Sequence, residues 1–391
     1  MRAMRCPACA EAELVPCADL GAVPALCGVT WAERAEAVAS PAGPIRLEYC
    51  PACAHVVNVA FRPELLAYDG SYDNSLHHSP TFRAYASDLA KRLSGDYRLA
   101  GRSVLELGCG KGDFLRELCQ VAGCHGTGYD ASYQGPEGTD GAVSFVPGFL
   151  PLDGSHPPEL RPDFLVTRHV LEHLTDPYEF LVGLRALAGE RETHGYFEVP
   201  NASYDFATGG WDCIYPHVCY FNAESLRAMV SRAGFEVLRI DTAFSDIFLS
   251  VEVVANRASP GPTAEPELQV AADQRGRVAS FGERHPQTVA RWRMRIGALA
   301  AGGANPVLWG AGARGVAFLS AADPDRALAG VVDVNPHKRG RYLPVTGHRV
   351  TGPEGVAALD TRAVILTNPA YRTEIGAALA EAGVEAELLV A

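Results

Sequence analysis

Two short stretches, RCPACAE with Cys6 and Cys9 and YCPACAH with Cys50 and Cys53, nearly repeat one another. A Cys-x-x-Cys turn lets two thiolates grip one face of a tetrahedral ion, and a second such turn completes a closed four-sulfur site, for which zinc is the best fit. Sulfur then fills every position and none is left for water or substrate, so the expected zinc is structural. The alternative is two chance pairs of buried cysteines, which the matched CPACA argues against. Cys17 and Cys27, between the turns, read as ordinary buried residues.

A second chemistry lies in SVLELGCGKGDFL, where Gly108, Gly110 and Gly112 follow an apolar run directly. Glycines there permit a tight turn and the close approach of a ligand to the backbone. Further on, HGTGYDA ends on Asp130, whose carboxylate could accept both hydroxyls of a ribose. A glycine turn and a terminal acid together mark a nucleoside cofactor. NPVLWGAGARGVAFLS repeats the idea with Gly310, Gly312 and Gly315, followed by Asp333. Alone, this G-x-G-x-x-G would suggest a nicotinamide-binding domain. The unit is too short for a full one, but it could cradle a diphosphate at a helix amino terminus.

The third candidate is WDCIYPHVCYF, Trp211 to Phe221, which sets His217 between Tyr215 and Tyr220. His217 is either a site base or a hydrogen-bonded packing group. Tyr68, Tyr72, His77 and His78 form a polar stretch that could close over a ligand; solvated loop residues are the alternative.

The elements that must position these residues follow from pattern. Ser79 caps a helix with Pro80 in its first turn. From Arg102 short apolar strands alternate with helices, as in a doubly wound parallel sheet. Strands are expected at Ser103–Leu107, in HGTGYDA, in DFLVTR and in HGYFEVPN, then a helix in AESLRAMVSRAGF and an antiparallel pair, EVLRIDTAF with IFLSVEVVA. A proline- and alanine-rich linker from Asn256 leads to a helix around QTVARWRMRIGALAA and a small α/β unit of roughly four strands, VLWGA, GVVDV, AVILTN and ELLVA. The boundaries are 1–75 for the zinc-binding module and substrate loop, 76–258 for the central domain, 259–304 for linker and helix, and 305–391 for the last unit.

At 391 residues the chain has room for two or three domains, and 48% hydrophobic with 20% charged residues is ordinary for a globular protein. A net charge of −12 argues against a nucleic-acid partner, which calls for a basic patch or stripe. No apolar run reaches bilayer length and no signal-peptide core follows the first methionine, so a cytoplasmic protein without a membrane partner is expected. Eleven cysteines in a reducing compartment then suit metal binding and burial rather than disulfides.

LELGCGKG resembles motif I of the class I S-adenosylmethionine-dependent methyltransferases. The resemblance implies that Glu106 orients the glycine turn and the amino-acid end of S-adenosylmethionine, and that Asp130 takes the ribose. DFLVTRHVLEHLTDPYEFL looks like the family's fourth strand and following helix, with RHVLEH and its His169 over the cofactor. VSFVPGFLPL sits where the family contacts the adenine, through Phe149; Tyr72 belongs with these cofactor contacts. The order of zinc module, methyltransferase core and truncated Rossmann-like domain resembles the sugar C-methyltransferases of bacterial antibiotic pathways. These deprotonate a TDP-linked 4-keto sugar and methylate the resulting carbon nucleophile. By that resemblance GAGARG and KRGRYLP place Gly310, Gly312, Arg314, Lys338, Arg341 and Tyr342, together with Tyr68 and His77, around the nucleotide sugar. His217 becomes the base, assisted by Tyr215 and Tyr220. One departure stands out: the family's Y-H-E-H-L-x-Y-F is IYPHVCYF here, with Pro216 where a glutamate is expected.

Other readings remain. Pro216 favours an O- or N-methyltransferase on a sugar or other small natural product; a non-enzymatic nucleotide-binding scaffold, an RNA methyltransferase and an NAD-dependent enzyme are the more distant options.

Overall fold

The computed structural model describes residues 4–66, 75–136, 138–157, 160–255 and 268–391. Tyr68, Tyr72 and the linker beginning at Asn256 lie outside them. Among the described residues are three sheets. The largest has eight strands. From one edge they run Glu236–Ala243, Phe248–Ala255, Thr193–Pro200, Phe164–Arg168, Ser103–Leu107, His125–Asp130, Val143–Pro147 and Gly138–Asp140. The five strands from Thr193–Pro200 to Val143–Pro147 are parallel, and Phe248–Ala255 is antiparallel to its neighbours. The sequence anticipated this arrangement except for Val143–Pro147, whose VSFVP the family resemblance gives to a cofactor-contacting loop, and the edge strand Gly138–Asp140, which lacks an apolar pattern.

The central strands read as unbroken apolar runs because both faces are covered. Leu105, Leu107, Leu165, Phe197 and Val199 pack with the helices Pro177–Ala188 and Ala223–Arg232. The alternate residues Val104, Phe164, Val166 and Tyr196 pack with Pro80–Tyr97 and Asp113–Ala122. Period-two alternation thus sorts one strand into two cores. The first of those latter helices starts where expected: Ser79 Oγ accepts the Phe82 amide at 3.2 Å, and Pro80 opens the helix.

A four-stranded sheet carries the amino-terminal module: Val15–Pro24, Ala42–Tyr49 and Val56–Asn58, completed by Cys219–Tyr220 from the far end of WDCIYPHVCYF. The opening module and the central domain therefore share a sheet. Asn222 ties them again, donating to the carbonyls of Cys53 and Ala54 at 3.1 and 2.9 Å while its Oδ1 caps Ala223–Arg232.

The last unit is a parallel sheet of five strands, in the order Val350–Thr351, Gly330–Val332, Val307–Trp309, Ala363–Leu366 and Glu387–Val390. Val350–Thr351 is too short to have shown as a strand in the sequence. Two helices, Leu268–Ala279 and Phe281–Ala301, precede it. The second begins earlier than QTVARW suggests and takes Pro286 into its first turns. Trp211, 1% exposed, is the anchor between central and last domains, set edge-on to Phe318 at 5.0 Å. Truncating such a residue to alanine costs about 3–5 kcal/mol. No helix among the described residues is long and apolar enough to cross a membrane.

Candidate active site

The strand Ser103–Leu107 ends on a turn with three left-handed glycines, the conformation that glycine adopts at least cost: Gly108, Gly110 and Gly112 have φ of 77°, 56° and 81°. A Cβ on Gly112 would meet the Phe145 ring at 2.4 Å and one on Gly108 would meet Val170 at 2.2 Å, whereas on Gly110 it would meet nothing within 4 Å. Two of these glycines serve packing and the third keeps a face open for a ligand. Asp130 closes the turn, its Oδ2 accepting the Gly110 amide at 2.8 Å and its Oδ1 the amide and hydroxyl of Ser132, both at 2.7 Å. Beneath it lies Glu106, buried, with Oε2 lacking any hydrogen-bond partner, and burial pushes its carboxyl up to about 8. An orphaned acid oxygen under an open glycine turn fits the amino-acid end of S-adenosylmethionine, with Asp130 at the next strand end for the ribose. Phe149 is 80% exposed.

The strands Phe164–Arg168 and Thr193–Pro200 deliver a charged hub to the same end of the sheet. Glu198 accepts Arg168 Nε at 2.9 Å and Tyr196 Oη at 2.7 Å, is bonded by Tyr85, and lies 3.2 Å from His169 Nε2. Burial works against its charge, but Arg168 and His169 hold it well below the usual carboxylate range. His169 has φ of 56°. Burial alone would lower its pKa; Glu172 and Glu198 raise it to about 9 instead.

His217 is buried at the far end of this hub, and Nδ1 donates to the Asp212 carbonyl at 3.0 Å. That bond fixes the tautomer and leaves Nε2 as the lone-pair nitrogen. Burial, then the neighbouring His173, push its pKa down to about 4. His173 donates Nδ1 to the Pro216 carbonyl at 2.9 Å, with ring centroids 5.0 Å from His217. Glu172 completes the group: one ligating atom from each of Glu172, His173 and His217 lies within 4.8 Å of the others. The sequence reading missed Glu172, and its signal was the LEH of RHVLEH.

Several of the expected site residues are engaged in contacts within the fold. Tyr215 is fully buried and its hydroxyl accepts the Arg62 amide at 2.8 Å and donates to the Arg62 carbonyl at 3.1 Å, so it braces the amino-terminal module. Tyr220 is buried too, its hydroxyl 3.5 Å from the Ile214 carbonyl and its ring 6.2 Å from His217. Arg314 donates to Asp212 Oδ2 at 2.6 Å, lies 3.4 Å from Asp205 and also bonds the Thr367 carbonyl. Arg341 binds Thr30 through Oγ1 at 2.8 Å and the carbonyl at 2.5 Å, and Tyr342 pairs with Trp31 through the backbone. Both fasten the last domain to the first. Lys338 does reach the second glycine turn: its Nζ donates to the Ala311 carbonyl at 3.1 Å and lies 3.8 Å from Asp333. Gly310 and Gly312 leave that turn open, since a Cβ on either would meet nothing within 4 Å. His77 packs edge-on to Phe82 at 5.1 Å, and burial lowers its pKa.

The four cysteines converge. Cys6 and Cys53 sulfurs are 3.7 Å apart and those of Cys9 and Cys50 3.6 Å. A tetrahedral ion with metal–sulfur bonds of about 2.3 Å has edges near this length, so the set fits zinc.

Residues 77–240 match a family model described as a methyltransferase domain. Among solved structures the chain is similar to an S-adenosylmethionine-dependent methyltransferase from Aquifex aeolicus, at 14% identity, with 46% of this chain and 95% of that one covered and a TM-score of 0.36. It is similar to magnesium protoporphyrin IX methyltransferase from Synechocystis PCC 6803 with bound S-adenosylhomocysteine, at 17% identity, 44% and 83% coverage and a TM-score of 0.35. The plantazolicin methyltransferase BpumL is a third, at 15% identity, 46% and 87% coverage and a TM-score of 0.35. No curated protein matches the sequence.

Proposed function

We propose that this chain, an S-adenosylmethionine-dependent methyltransferase, methylates a carbon atom of a nucleotide-linked keto sugar, with a TDP sugar of natural-product biosynthesis as the substrate class. Glu106, the turn Gly108–Gly112, Asp130, Phe149 and His169 hold the cofactor, which when bound supplies an electrophilic methyl group. A carbon nucleophile must first lose a proton beside a carbonyl, and this requires a positioned base.

The observation that carries the reading is His217. It is a buried imidazole beyond the carboxyl ends of the parallel strands, held in one tautomer by the Asp212 carbonyl at 3.0 Å. Its Nε2 takes the proton from the sugar carbon. Burial limits the water that could quench the carbanion. The open turn at Gly310 and Gly312, with Lys338 beside it, receives the diphosphate at the amino terminus of the helix Ala313–Ala322. The four cysteines hold a structural zinc that fixes the sheet to which Cys219–Tyr220 belongs.

A thermal-shift screen of TDP and UDP sugars with S-adenosylhomocysteine present tests the substrate class. A TDP-linked keto sugar should raise the melting midpoint; stabilisation by no nucleotide sugar would refute the assignment. The second reading, methyl transfer to oxygen or nitrogen, is favoured by Pro216, which removes the expected carboxylate next to the base.

A further inference from the structure

Pro216 leaves His217 without a carboxylate neighbour in sequence, yet the fold provides one in space. The backbone amide of Val218 donates to the Glu172 carbonyl at 2.7 Å, which locks the His217 segment against the turn Leu171–His173. Glu172 is 1% exposed and neither of its carboxylate oxygens accepts a hydrogen bond. His169 Nδ1 lies 3.6 Å from its Oε1 and His173 Nε2 lies 4.0 Å away. An ionised carboxylate buried without hydrogen bonds is costly unless positive charge balances it. On His217 the remaining polar neighbour is Asp212, whose carbonyl already holds Nδ1.

We infer that Glu172 is the carboxylate that serves His217 in this chain, a positioning residue supplied from the turn after the fourth parallel strand rather than from the position before the histidine. The inference rests on the C-methylation reading. In the step it serves, the C–H bond beside the sugar carbonyl breaks and its electron pair passes into the enolate. The proton forms a new N–H bond at His217 Nε2, giving an imidazolium that Glu172 faces. From His217 Nε2 the proton exchanges with solvent, so that in D2O a deuteron returns to the carbon when methyl transfer does not follow. His173, on the same turn, orients the base segment through the Pro216 carbonyl. His169 contributes positive charge on the other side of Glu172. Glu172, His169, His173 and Asp212 are thus the groups that set the pH response of His217.

The test uses the full-length protein with a TDP-linked 4-keto-6-deoxy sugar as probe, following loss of the carbon-bound hydrogen in D2O. Glu172→Gln should lower kcat for exchange about a hundredfold with KM little changed, and should move the acid limb of the pH profile. Glu172→Asp, which keeps the charge on a shorter arm, should fall about tenfold and carries the test if the glutamine variant does not fold. Wild-type rates in both variants overturn the inference. A second arm needs no substrate: imidazole 15N spectra at neutral pH should place the proton of His217 on Nδ1, and the Nε2 signal should move in Glu172→Gln. An unmoved signal overturns the pairing. A moved signal with no exchange in wild type overturns the sugar reading while supporting the pairing. A second equivalent of metal beyond the four-cysteine ion, lost in Glu172→Gln, would make these residues a metal site and overturn the inference.

Discussion

Arg314 of the last domain donates to the carboxylate of Asp212 at 2.6 Å, and the carbonyl of that same aspartate holds His217 Nδ1 at 3.0 Å. The residue expected to meet a phosphate instead steadies the loop that carries His217. Asp205 is part of the arrangement, 3.4 Å from the guanidinium and accepting the Asp212 amide at 3.1 Å.

Arg314→Ala leaves two carboxylates facing each other in a largely buried place. Breaking such a pair from one side costs about 3–5 kcal/mol. Denaturant unfolding should show this loss together with reduced turnover, while Arg314→Lys recovers only part of either because a lysine lacks the planar fork that reaches Thr367 through Nε and Asp212 through Nη1. Unchanged stability in Arg314→Ala would mean that the last domain does not hold the His217 loop.

His217 gives a pH signature. Its folded pKa, about 4 through burial and His173, lies below the ordinary histidine value. Between about 4 and 6.5 the unfolded chain binds the extra proton, so this histidine's contribution is intact above about 6.5 and is lost as pH falls through that window. The stability difference between wild type and His217→Asn should therefore shrink steadily as urea melts are moved from neutral to acid pH. A constant difference would place His217 in a solvated setting.

Gly110 separates cofactor binding from folding. With φ of 56° and open space around the missing Cβ, alanine there costs the fold only about 1–2 kcal/mol. It puts a methyl on the ligand face, so calorimetry should show S-adenosylmethionine affinity reduced at least about tenfold, a loss of ~1.4 kcal/mol. Gly112→Ala, which drives a Cβ to 2.4 Å from Phe145, should mainly destabilise. Equal cofactor affinity in Gly110→Ala would move the cofactor off this turn.

The zinc proposed at the four cysteines should be felt at a distance when it is removed. Chelation, or Cys53→Ser, is expected to release one zinc per chain and to loosen the sheet in which Val56–Val57 pair with Cys219–Tyr220. Hydrogen exchange should quicken at both strands together; deprotection of the first alone would show that the shared sheet does not couple them.

Much of this was legible in the chain itself. Ser79 and Pro80 announced a helix start, and the short apolar runs in SVLEL and DFLVTR announced buried strands, because local chemistry decides such features. The glycine turn was legible for the same reason. The partners of the basic residues were not: Arg314 meets Asp212 and Asp205, and Arg341 meets Thr30, across long stretches of chain. Tyr215 is close to His217 in sequence, but its ring is turned to Phe61 and its hydroxyl to Arg62. The carboxylate absent at Pro216 was sought next to His217 in sequence, whereas Glu172 arrives there only once two loops are stacked by the Val218–Glu172 backbone bond.

The account turns on which atom receives the methyl group, and one measurement reads it directly. Wild-type protein is incubated in D2O with a TDP-linked 4-keto-6-deoxy sugar and S-adenosylmethionine carrying a 13C methyl, and the product is examined by carbon NMR. The account predicts a methyl coupled to a ring carbon, with deuterium exchange at that carbon that disappears in His217→Ala. A methyl bonded to oxygen or nitrogen, without exchange, would contradict it.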